Sequence, residues 1–100
     1  MTHIVHSDAT IPTTSAQKYI DQLSKHWAHK CDVTHADGVT HVVFPFADLT
    51  MHAHPDHLAI RVSTATTEHL EKSKEIFMTH LGRFAFREGS LSATWQDQTA

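Results

Sequence analysis

Cys31 is the only cysteine in the chain, so no disulfide can form within it, as suits a reducing compartment. Glycine and proline number 3 each, too few for a fibrous or linker-rich protein. Long apolar runs are missing as well. The longest nearly unbroken one, Val42 to Ala47, falls far short of the ~20 residues that a membrane-spanning helix requires. Positive charge is scarce: 8 Lys and Arg stand against 11 Asp and Glu, a formal charge of −3, which provides no electrostatic reason to expect nucleic acid as the partner. The opening Met-Thr-His-Ile-Val-His-Ser-Asp has neither a basic leader nor a signal-type apolar stretch, and a cytoplasmic location is the expectation.

What is present points to a globular chain. With 100 residues, 40% apolar and 19% charged, residues 1–100 are expected to form one domain around one core, alone or as a small oligomer such as a homodimer. Histidine is abundant, at 11 residues. Protonating them all would reverse the sign of the net charge, so solubility and self-association should depend on pH.

Two periodicities alternate along the chain. "THIVHS" reads as a first strand, ended by "DATIPTT". Thr14 and Gln17 then have the spacing of a capping box, and Ala16, Tyr19, Ile20, Leu23 and Trp27 recur as the buried stripe of a helix predicted to end near Lys30. "KCDVTH" and "VTHVVFPF" flank an Asp-Gly pair, a strong hairpin signal. In "ADLTMHA" and "HLAIRVS" every second residue is apolar, so each strand has one dry face. Helical spacing returns through Leu70, Phe77, Leu81 and Phe84, and "LSATWQ" ends the chain as a strand with Leu91, Ala93 and Trp95 on one side. Trp27, Phe84 and Phe86, with Phe44 and Phe46, are expected in the core. The order β-α-β-β-β-β-α-β fits an α+β two-layer sandwich, an antiparallel sheet with two helices on one face.

"MHAHPDH", residues 51–57, resembles the His-x-His-x-Asp-His signature of metallo-β-lactamase-like hydrolases. Strand parity nevertheless turns His52 and His54 to solvent, "HPDH" reads as a tight turn, and a strand follows where that family needs a helix. No catalytic metal is expected there. His52, His54 and His57 are candidates only for adventitious Zn or Ni.

A broader likeness rests on "LSKHWAHK", "FPF" and "HLGRFAFRE". With these segments the chain resembles domain-of-unknown-function family 2218, small single-domain bacterial proteins. The resemblance implies relatives encoded near iron and siderophore uptake genes, some joined to siderophore-reductase-like proteins. It therefore suggests a ferric chelate as ligand or a protein partner in iron uptake. The family pattern often has Cys where this chain has Ser24, so no thiol role transfers.

Helical geometry places His26 and Lys30 on one flank of the first stripe with His29 farther toward solvent, and His80, Arg83 and Arg87 along one flank of the second. If the helices pack side by side, these six residues could line a cleft suited to a carboxylate or phosphate. A structural role competes with that reading, since basic residues in a helix's last turn stabilise it by ~0.3 to 1 kcal/mol without any ligand. No nucleophile elbow, phosphate loop or paired carboxylates are visible, and no cofactor is named by any motif. The leading expectation is a non-enzymatic accessory or binding protein. Two alternatives stand beside it: a small metal- or haem-dependent enzyme using His26, His29 or His80, and a structural partner of a reductase or transporter.

Overall fold

The strands form because apolar side chains at every second position can all be buried on one face of a sheet. The computed structural model describes residues 5–88 and 91–99, and the side chains of all of these except Arg87 and Thr99. Its elements are β1 (Val5–Pro12), α1 (Ala16–Trp27), β2 (Asp32–Ala36), β3 (Val39–Phe44), β4 (Ala47–Ala53), β5 (His57–Thr64), α2 (Thr67–Phe84), a short 3₁₀ turn (Phe86–Glu88) and β6 (Thr94–Thr99). The six strands make one sheet in the order β2-β3-β4-β5-β1-β6, with every neighbouring pair antiparallel. Ile11 of β1, Val42 of β3, Leu49 and Met51 of β4, and Leu58, Ile60 and Val62 of β5 form the dry face. Both helices pack on that face, as the alternation predicted, and the other face carries polar side chains.

Local signals are visible at the joints. Asp37 and Gly38 both take positive φ, 53° and 77°, which is the twist a two-residue hairpin between β2 and β3 demands. At the start of α2 the Thr66 side chain accepts a hydrogen bond from the His69 amide at 3.1 Å. The first helix departs from expectation. Its N-cap is Ser15, which makes no side-chain cap bond, and Thr13 Oγ1 instead accepts from the Ser15 amide at 3.1 Å. The N-cap lies one residue past Thr14, so the predicted capping box from Thr14 to Gln17 does not form.

Other boundaries moved for tertiary reasons. The first strand continues to Pro12 because β5 pairs with it as far as Pro12 and His57, and residues 2–4 of its predicted span lie outside the described residues. The first helix ends at Trp27, short of Lys30, where the Lys30 and Cys31 amides both turn back to the Trp27 carbonyl. The last strand begins at Thr94, later than predicted, with Leu91, Ala93 and Trp95 half-buried against the core. All five residues of the predicted α1 stripe are buried. Phe86 and Phe46 are corrections to the predicted core: Phe86 is 67% exposed on the 3₁₀ turn and Phe46 is 39% exposed at the tip between β3 and β4.

Candidate functional site

The C-terminal end of α1 crosses α2 about one turn before α2 ends. There the His26 and His80 rings lie 5.1 Å apart, Trp27 lies 5.6 Å from His80, and Phe84 meets His26 edge-on at 6.2 Å. The apolar stripes of both helices create this meeting, since Trp27 and Phe77 are buried between them at 6.2 Å. His80 Nδ1 bonds the Ile76 carbonyl at 2.8 Å. A carbonyl can only accept, so Nδ1 carries the hydrogen and Nε2 is left free to accept, or to donate once the ring is protonated.

These contacts also fix the direction of the helices. Trp27 meets Phe77 and His80, whereas Tyr19, two turns earlier, donates from its hydroxyl to Glu88. The helices are therefore antiparallel where they touch. Continuing past Trp27 leads to His29 and Lys30, both exposed, on the side of Phe77 and Ser73; continuing past His80 leads to exposed Arg83 on the side of the α1 N-terminus. The fold thus brings His26 and His80 together, keeps Arg83 one turn away, and sends His29 and Lys30 the other way. The side chain of Arg87, the sixth residue predicted for the site, lies outside the described residues.

Next to this pair is a cleft that the sequence reading missed. Trp27, Phe44, Phe46, Leu49, Ile76 and Phe77 line it, together with Ser73, and it is a narrow, almost wholly apolar crevice with room for about 20 Å³. Ser73 explains the space: it occupies a buried position between Leu70 and Phe77 where a larger residue would fill the interior, and its hydroxyl turns back to the His69 carbonyl at 2.7 Å. The available signal was a serine within the buried stripe of α2. Phe44 stands edge-on to Trp27 at 5.2 Å, while Phe46 forms the outer wall beside His69 at 5.7 Å. Pro45 separates the two aromatics, so one can face inward and the other outward.

The "MHAHPDH" segment forms the joint between β4 and β5. The His54 amide donates to the His57 carbonyl at 2.9 Å, leaving Pro55 and Asp56 as the two central residues of a tight turn. The rings of His52, His54 and His57 are arranged in series at 4.3 and 4.2 Å, the second pair nearly parallel at 13°. The stacked His54 and His57 rings present faces to one another, and the His52 ring is tilted by 49° to that of His54. Among the described residues no three His, Cys, Asp or Glu side chains gather in a way that could hold a metal ion. Partial burial, then the charges of His57 and His52, keep His54 below the usual imidazole range. A hydrogen bond from His57 Nδ1 at 2.7 Å lowers Asp56. Cys31 is half-buried, and burial pushes its thiol up, away from a reactive thiolate.

Fold and site together define a small α+β sandwich whose helix crossing carries a histidine pair above an apolar cleft. Residues 8–96 match the family described as "uncharacterized protein conserved in bacteria" (DUF2218), and the chain belongs to it. The NMR structure of PA4090 from Pseudomonas aeruginosa is similar to this chain at 30% identity and a TM-score of 0.75, with 91% of this chain and 94% of that chain covered. No match was found among curated proteins. Among the described residues, no helix is long and apolar enough to cross a membrane.

Proposed function

We propose that this protein is a non-enzymatic binding protein that holds a small anionic ligand where α1 crosses α2. The observation that carries the reading is the His26–His80 pair, 5.1 Å apart, with the His80 Nδ1–H already engaged. Protonation of His80 creates a donor on Nε2 aimed away from its own helix, and Arg83, one turn on, supplies a planar donor for a carboxylate or phosphate. Iron chelates such as ferric citrate or a ferric siderophore are the anions that the family resemblance suggests, which would make the protein an accessory of iron handling.

Calorimetric titration with phosphate, citrate, ferric citrate, a ferric siderophore and haem tests the proposal on the parent, on Arg83→Ala and on His80→Ala. Expected are binding that weakens as salt is added and a loss of about tenfold or more in each variant. Equal affinity in all three proteins would place the ligand elsewhere. The absence of binding by any of these anions would remove the reading.

A further inference from the structure

Both helices lie on one face of the sheet, and among the described residues no element covers the other. Strand pairing sets the outward side chains of that open face in three rows. From β3 through β4 and β5 to β1, the middle row reads His41, Thr50, Arg61, Asp8, and the row toward the β4–β5 turn reads Val39, His52, Ala59, Thr10. In the row on the other side Asp48 of β4 stands beside Ser63 of β5. Every lysine and glutamate of the chain lies on a helix, on the 3₁₀ turn or in the segment joining α1 to β2, so this face has neither. Those two residues keep free surfaces soluble and are depleted where proteins dock. Ala59 also leaves a hollow with room for about 320 Å³, walled by Asp8, Thr10 and Arg61 on one side and by Thr50 and His52 on the other.

We propose that a second copy of this chain docks on the open face, sheet on sheet, about a two-fold axis that runs along the strands between β4 and β5. The charges select that axis. It lays β4 over β5 of the second copy and β3 over its β1, and by symmetry every contact occurs twice. Within the middle row Thr50 then meets Arg61 of the second copy and His41 meets its Asp8. In the neighbouring row the exposed His52 fits over the hollow that Ala59 leaves, and on the other side Asp48 faces a serine hydroxyl, so none of these carboxylates opposes another. An axis across the strands, along the middle row, would instead set Arg61 over Arg61 and Asp8 over Asp8, and like charges opposed across an interface weaken it. Arg61 already donates to Asp8 of its own chain at 2.7 and 3.1 Å, so that pair enters the interface neutralised. The area suffices: with ~4.8 Å per strand and ~6.7 Å per row, the face measures roughly 29 by 20 Å, which is ~1,200 Å² over both copies and within the range of specific interfaces.

Sedimentation equilibrium between ~10 μM and ~1 mM tests this on the parent, on Ala59→Arg and Thr10→Arg in the hollow, and on Lys72→Ala on the helical side. Expected are a monomer-dimer equilibrium in the parent and in Lys72→Ala, and a dissociation constant larger by about tenfold or more in both sheet-face variants, whose amide NMR spectra verify the fold. A parent that stays monomeric over that range overturns the proposal, and so does a dimer that both sheet-face variants leave unchanged. The axis is read separately. A spin label on Asp56→Cys in a Cys31→Ser background, at the turn between β4 and β5, is mixed with isotope-labelled parent. An axis along the strands keeps like ends of the two sheets together, so the His54 and Asp56 amides of the labelled parent should broaden. Broadening centred on Phe46 and Asp48, at the opposite end of β4, would mean an axis across the strands. Broadening on the helices would place the interface there, and either result overturns the arrangement.

Discussion

Trp27 joins the two helices to the sheet, with Phe44, Phe77 and His80 around its ring. At 6% exposed it is also a core residue, so Trp27→Ala should cost about 3–5 kcal/mol in denaturant unfolding. Ser24 presents the reverse case. It is 7% exposed, and its Oγ has no hydrogen-bond partner. A buried hydroxyl in that state forfeits its solvation, so Ser24→Ala should stabilise the protein by about 1 kcal/mol, read from the same denaturation midpoint. His54 makes a pH-dependent contribution. Its pKa is lowered in the folded state, so the unfolded chain takes up the proton first, and stability should decline as pH falls past the ordinary histidine value of about 6.5. The His54→Gln variant should lose less stability than the parent over that interval in parallel thermal melts.

At the scale of elements, β6 is held partly by charge. It is an edge strand paired only to β1, and its exposed Asp97 accepts from Ser7 Oγ and from Lys74 Nζ at 2.6 Å. Lys74 also bonds Glu71 at 2.7 Å and lies 5.4 Å from the Trp95 ring. The hydrogen bond from Lys74, then that from Ser7, hold the Asp97 carboxyl below the usual carboxylate range. A carboxylate depressed in this way adds stability that is present above its ordinary value of about 3.9 and lost as pH falls through the lowered one. Hydrogen exchange of the β6 amides should therefore quicken relative to those of β4 and β5 in Lys74→Ala at neutral pH, and in the parent only in strong acid. Protection of β6 equal to that of the central strands in Lys74→Ala would show that backbone pairing alone holds it.

Across the whole molecule, the antiparallel helices are held in register by contacts far apart in the sequence. Glu88, on the 3₁₀ turn, accepts from Thr13 Oγ1 at 3.0 and 3.1 Å and from the Tyr19 hydroxyl, tying the end of the second helical segment to the start of the first. The same antiparallel packing separates the cations predicted for the site, with Lys30 to one side of the histidine pair and Arg83 to the other. It also leaves "MHAHPDH" at the β4–β5 joint, away from the helix crossing. Zn- or Ni-loaded protein assayed on ester, lactam and phosphodiester substrates should show no turnover. Activity abolished by His52→Ala with His54→Ala would make that turn a reaction centre.

Much of this architecture was legible beforehand because its causes are local. Alternation of Leu49, Met51, Leu58, Ile60 and Val62 requires a sheet with one dry face, the Asp37-Gly38 pair requires a tight hairpin, and the Tyr19-to-Trp27 spacing requires a buried helical stripe. His26 and His80 could be placed beside their stripes for the same reason. Tertiary structure alone decided which flanks meet, because helix direction is set by ring contacts between residues some fifty positions apart. It also decided that Thr13 would bond Glu88, and that Phe46 would stand outside Pro45 while Phe44 went in. The cleft belongs to that second group: a serine at position 73 becomes empty space only when Trp27, Leu49 and Phe77 close around it, and no stretch of sequence contains all four.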